Sequence, residues 1–216
     1  MRSRRYSKKE EQLNTRTHAL GIVLGLIAGY VLLKKATGNS EPEWATVSVA
    51  IYLVGMLASY ISSTWYHGSL AGRRKERIRK FDHAAIYLHI AGTYTPFTLL
   101  VLRDCGAWGW SIFAFVWLCA VAGLILSFTR LKEHSNLETI CFVGMGCSIL
   151  VAMKPLFDCL TVMEAVPALW WLLGGGASYI LGALFYSLRK PYMHALFHLF
   201  CLGGSIGHII AIWYIL

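Results

Sequence analysis

Apolar positions along the 216-residue chain gather into seven blocks, roughly residues 19–36, 44–66, 83–102, 108–129, 139–157, 165–187 and 193–215, with short polar stretches between them. Each block is long enough to cross about 30 Å of hydrocarbon at 1.5 Å per residue. Helices satisfy their own backbone groups in lipid, so the pattern predicts seven transmembrane helices. A transmembrane barrel would instead need segments of about ten residues with strict alternation. Blocks such as FAFVWLCAVAGLILSF do not alternate. The expected fold is therefore all-α, a polytopic seven-helix bundle. Residues 1–17 are expected to form a basic tail and residues 18–216 a single membrane domain. The first block lacks a clear A-x-A cleavage site and runs on into lysines and another span, so it reads as an anchor rather than a signal peptide.

Composition agrees. Hydrophobic residues make up 56% of the chain and charged residues 14%, where a soluble domain carries about 25% charged. The formal charge of +9 would suit nucleic acid, but the basic residues sit where membrane topology wants them. With the amino-terminal tail in the cytoplasm, 16 of the 20 Lys and Arg fall on the inner side, and only Lys34, Lys35, Arg103 and Lys154 fall outside. The positive-inside rule then puts the amino terminus in the cytoplasm and the carboxyl terminus outside. The expected location is the cell membrane, as a multi-pass protein of a bacterial inner membrane. The expected partners are membrane lipids and not nucleic acid; the oligomeric state is not legible. Arg73 to Lys80 reads as a cytoplasmic loop. Of six cysteines, Cys119, Cys141, Cys147 and Cys201 fall within spans, where a free thiol packs as a small hydrophobe. Cys105 and Cys159 lie in or beside outer loops, and nothing in the sequence shows whether they meet.

Candidate chemistry lies in the polar positions within the apolar blocks. His194 and His198 are one helical turn apart in MHALFHLFCLGGSIGH and share a face, which suits either a metal or a polar contact between helices. Glu11, Asn14, Thr17 and His18 repeat at three- and four-residue spacing where the first helix enters the membrane. That spacing fits a helix cap with an interfacial anchor, or one polar face. Ser63 and His67 close the second span and Asp82 opens the third. His89 follows seven residues later, suited to bonding a neighbouring helix, and Pro96 predicts a bend. Topology alone therefore sets His67, Asp82, His194 and His198 at one depth in the inner leaflet. Ionisable groups in spans are costly and mark function. Three His with an open fourth position is a catalytic zinc pattern, so Zn2+ on His67, His194 and His198 is the expected cofactor.

The strings E-Q-L-N-T-R-T-H (Glu11 to His18), S-T-W-Y-H (Ser63 to His67), F-D-H (Phe81 to His83) and H-A-L-F-H followed ten residues later by His208 resemble the motif regions of the hemolysin III and progestin/adipoQ receptor family. The short tail is more similar to the bacterial hemolysin III branch. The resemblance implies a zinc ion held near the cytoplasmic side by His67, His194 and His198, with Asp82 orienting the metal-bound water and Ser63 close by. Glu11, Asn14, His18 and His208 are motif positions of less defined role. Kinship to the alkaline ceramidases implies a metal-dependent hydrolase acting on a ceramide-like lipid amide, with Asp82 as base and Ser63 as oxyanion donor. The alternative is a non-catalytic, zinc-stabilised receptor or lipid-homeostasis protein. A cytolytic pore ranks last, because a bundle with one polar pocket makes a poor water-filled channel.

Overall fold

The structure is a computed structural model that describes residues 6–129, 136–188 and 190–216. Arg2, Arg4, Arg5, Arg130, Lys132 and Arg189 of the basic set lie outside the described residues. Among the described residues eight α-helices follow in order: α1 (Lys8–Ala36), α2 (Pro42–Gly68), α3 (Arg73–Pro96), α4 (Trp108–Thr129), α5 (Asn136–Cys147), α6 (Met153–Val162), α7 (Val166–Ser187) and α8 (Met193–Ile215). A π-helical turn, Phe97–Val101, extends α3, and a 3-10 stretch, Ser148–Ala152, joins α5 to α6. Counted as continuous apolar spans, the described helices cross a membrane seven times. There are no strands among the described residues. The protein is a multi-pass membrane protein.

Two polar stretches outside the apolar blocks are end turns of long helices. α1 starts at Lys8, within the basic segment: Ser7 accepts from Glu10 N–H while the Glu10 carboxylate accepts from Ser7 N–H, a reciprocal capping box. The run Arg73 to Lys80 is likewise helical rather than a loop. Asp82 therefore lies more than two turns inside α3 rather than at its start. Charged turns that project from the bilayer lose the apolar period that marks a span while keeping their backbone bonds.

α1 presents one buried stripe whose chemistry changes along its length. It runs from Glu10, Asn14, Thr17 and His18 through Gly21, Gly25 and Gly29 to Leu32 and Ala36. Its other faces expose Leu20, Leu26, Ile27 and Tyr30, the apolar exterior that lipid requires. The same division holds for the bundle. The apolar core, with Leu32, Val49, Tyr52, Met56, Phe97 and Ile212, fills the half containing the end of α1 and the start of α2. Buried Asn14, Thr17, His18, Ser63, His67 and His198 lie toward the other end.

Close backbone approach sets the helix spacing. A Cβ on Gly55 of α2 would lie 2.5 Å from the Leu88 carbonyl oxygen of α3, and one on Gly207 of α8 would lie 2.9 Å from the Gly175 Cα of α7. At the non-polar end Cys105 and Cys159 form a disulfide between the α3–α4 connection and α6. Arg103 reaches Glu41 there at 2.7 Å and stacks over Trp44, fastening the same connection to the start of α2. The break in the fifth span is anchored by one hydroxyl. Tyr94 Oη shares its proton between the carbonyls of Met145 (3.0 Å) and Gly146 (2.7 Å) and accepts from Ile149 N–H (2.9 Å) and Ser148 Oγ (3.1 Å). Backbone groups freed by the change of helix type are thus satisfied from α3.

Candidate metal centre

His67 stands in the last turn of α2, and His194 and His198 in the first two turns of α8. Their ligand-capable nitrogens lie within 4.8 Å of one another, and His67 Nε2 is 3.0 Å from His194 Nε2. Two of the rings are held from behind by α1. His67 Nδ1 donates to Glu11 Oε2 at 2.7 Å, and the other carboxylate oxygen takes the Lys75 ammonium at 2.7 Å. His198 Nδ1 donates to the Asn14 carbonyl at 3.2 Å, with Thr17 Oγ1 at 3.1 Å. A carbonyl and a carboxylate only accept, so both rings carry their proton on Nδ1 and keep the lone pair on Nε2. Metal-ligating His rings are oriented by such outer acceptors. The three imidazoles can hold a metal ion.

Aromatic packing completes the support. The His18 ring stacks on His198 at 3.5 Å between centroids, and the Tyr6 ring lies 5.0 Å from His194 and 5.8 Å from His67. The amino-terminal end of α1 is tied to the start of α8 by Glu10, whose Oε1 accepts from Tyr192 N–H at 3.1 Å. Tyr192 holds a left-handed backbone conformation, φ 65°, to begin α8 there. One carboxylate thus serves two helix starts, where unpaired N–H groups favour negative charge.

The site opens into a cavity of about 360 Å³ between α3, α5, α7 and α8. Ser63 and Asp82 line it together with His194 and His198. Asp82 lies beside the Ser63 hydroxyl and in the field of His67, but it is not one of the group whose donor atoms fall within 4.8 Å. Beyond these residues the lining is mostly apolar, with Ile90, Phe142, Leu173 and Phe197 among it.

A sequence model of the family described as "Haemolysin-III related" matches residues 6–209. The chain belongs to the haemolysin-III related family. Hemolysin-3 of Bacillus cereus is 38% identical over 198 residues, covering 91% of this chain and 87% of that one. The Hemolysin-3 homolog of Bacillus subtilis is 37% identical over 201 residues, covering 93% and 91%. A human relative, Monocyte to macrophage differentiation factor, is 30% identical over 213 residues, covering 94% and 83%.

In this haemolysin-III chain, the polar face of α1 does more than cap and anchor. Glu11, Asn14, Thr17 and His18 all contact His67 or His198, while capping falls to Ser7 and Glu10. Sequence reasoning missed Glu10, Lys75 and Tyr6. Lys75 carried a signal only as part of a basic run, and Tyr6 none. His89 and His208 stay apart from the triad. His208 Nε2 reaches the Leu172 carbonyl at 3.2 Å, and His89 makes ring contacts with Tyr52, Tyr60 and Tyr179.

Proposed function

We propose that this protein is a zinc-dependent membrane hydrolase that cleaves a lipid amide of the ceramide type. The observation that carries the reading is the convergence of His67, His194 and His198 at the mouth of an apolar cavity within the bundle. Three protein ligands leave a fourth position for a reactant, whereas closed four-ligand sites are structural. Bound there, zinc would supply a Lewis acid that polarises an amide carbonyl and makes water acidic enough to lose its proton near neutral pH.

The chain's own residues supply the rest. Asp82 accepts the proton of the attacking water and returns it to the leaving nitrogen as the carbon–nitrogen bond breaks. Ser63, beside Asp82, donates its hydroxyl to the oxygen that gains negative charge. Glu11, Asn14 and Thr17 hold two of the imidazoles in place, so little reorganisation is needed on binding. The apolar cavity takes the acyl chain and excludes bulk water.

Metal content and turnover are tested separately. Purified wild type is expected to carry about one zinc per chain by elemental analysis and His194→Ala close to none; a metal-free wild type removes the reading. Zinc-loaded protein incubated with ceramide and other N-acyl amides is expected to release fatty acid, and Asp82→Asn to lower the rate by about 10²–10⁴-fold. Full metal occupancy with no product from any amide would instead favour a non-catalytic zinc protein, the ion serving to hold α2 against α8.

A further inference from the structure

A second cluster of buried polar groups, unused by the chemistry above, lies at the far end of the same cavity. His89 on α3, Tyr179 on α7 and His208 on α8 all line it. The Tyr179 ring centroid is 6.1 Å from that of His89 and 5.4 Å from that of His208. Along α8, His208 is ten residues past His198, about 15 Å at 1.5 Å per residue. The cluster therefore sits well toward the bilayer midplane. Both imidazoles are more than nine-tenths buried, with exposures of 8% for His89 and 7% for His208. The backbone makes room for them. A Cβ on Gly175 would lie 2.5 Å from the His208 ring, and one on Gly204 would collide with the Tyr179 ring.

The inventory of protons and lone pairs at this end is one-sided. His208 Nε2 faces the Leu172 carbonyl, which only accepts, so the ring proton is on Nε2 and Nδ1 bears a lone pair. Nδ1 has no partner among the described residues. Tyr179 Oη lies 2.7 Å from Ser205 Oγ, Ser205 Oγ lies 2.7 Å from Tyr60 Oη, and Tyr60 Oη lies 3.2 Å from the Cys201 carbonyl. With the Tyr60 proton on that carbonyl, Ser205 donates to Tyr60 and Tyr179 donates to Ser205. All three hydroxyl protons are then used within the protein. The acceptor capacity left over on residues that line the cavity includes His208 Nδ1. His89 Nε2 also lacks a partner among the described residues. A buried acceptor left unpaired is costly, and a saturated chain, an ester or a ketone brings no proton to it. A hydroxyl does, and its oxygen can in turn accept.

We propose that His208, Tyr179 and His89 form a second subsite that takes the hydroxyl of a hydroxylated acyl chain whose head group lies at the metal centre. The inference rests on the lipid reading of the cavity but not on turnover. Water is the competing occupant, and selectivity among chains separates the two.

The test is equilibrium binding to the full-length protein in nanodiscs, followed by native mass spectrometry, using stearic acid and its positional mono-hydroxy isomers. One isomer, or two adjacent ones, is expected to bind about tenfold tighter than stearic acid, the scale of one well-made hydrogen bond to a desolvated group. His208→Phe is expected to abolish that preference, read as the ratio of each isomer's affinity to that of stearic acid in the same variant. Should the variant fail to fold, the wild-type series decides alone. Equal affinity for stearic acid and every isomer overturns the subsite and leaves the polar groups to water, with the lipid reading intact. A positional preference in a protein that hydrolyses no amide upholds the subsite and removes only the hydrolase. Failure of every chain to bind overturns both.

Discussion

Outside the triad, Glu11 supports the site by bridging two partners with its two carboxylate oxygens. One takes the His67 ring proton and the other the Lys75 ammonium. Glu11→Gln keeps the shape but removes the negative charge that holds the His67 ring proton. Metal affinity, measured by competition with a chromogenic chelator, is expected to fall about 10–100-fold. Thr17→Val should cost far less, since the Asn14 carbonyl still holds the His198 proton. Much of this was legible at the level of single residues. His67, His194 and His198 stand out because imidazoles inside apolar blocks need a reason to be there. The partner of Glu11 was not legible. Joining positions 11 and 67 requires knowing that α1 packs beside both α2 and α8, and periodicity along one helix says nothing about its neighbours.

At the scale of the helix, the site depends on how closely α2 and α3 approach. Gly55 lets the Leu88 carbonyl come within reach of where a Cβ would be, and the same two helices carry Ser63, His67 and Asp82. Gly55→Ala must push the helices apart. The expected cost is about 1–3 kcal/mol of stability, read as a lowered thermal midpoint, with metal affinity falling in parallel. Retention of full affinity in the destabilised variant would separate site from scaffold. The run from Arg73 to Lys80 illustrates the limit of patterning, because an exposed helical turn and a polar loop share a composition. The fifth span shows another limit. Its apolar block is continuous, and the change to a 3-10 stretch depends on the Tyr94 hydroxyl of a different helix.

For the molecule as a whole, the seven spans were plain from hydropathy, because lipid leaves so few ways to satisfy a backbone. The Cys105–Cys159 pairing was not, since it joins the α3–α4 connection to α6, which meet only after the bundle has assembled. The end that holds the triad also holds Lys8, Lys9, Arg16, Arg73, Arg74, Lys75, Arg77 and Lys80. The positive-inside rule predicts that this end faces the cytoplasm. A carboxyl-terminal reporter active only outside the membrane is therefore expected to give signal, and one active only inside to give none. The opposite result would invert the topology and put the metal centre on the outer side.

The seam between α5 and α7 carries two glycines on the cavity, Gly146 and Gly176, and a Cβ on either would meet nothing within 4 Å. A chain that enters by this seam arrives from the hydrocarbon and never passes through water, so the quantity that governs encounter is its mole fraction among lipids. Diluting a labelled acyl probe tenfold with inert phospholipid, at constant bulk concentration, is expected to slow its uptake about tenfold, because encounter is first order in probe. Diluting the whole suspension with buffer is expected to leave the rate unchanged.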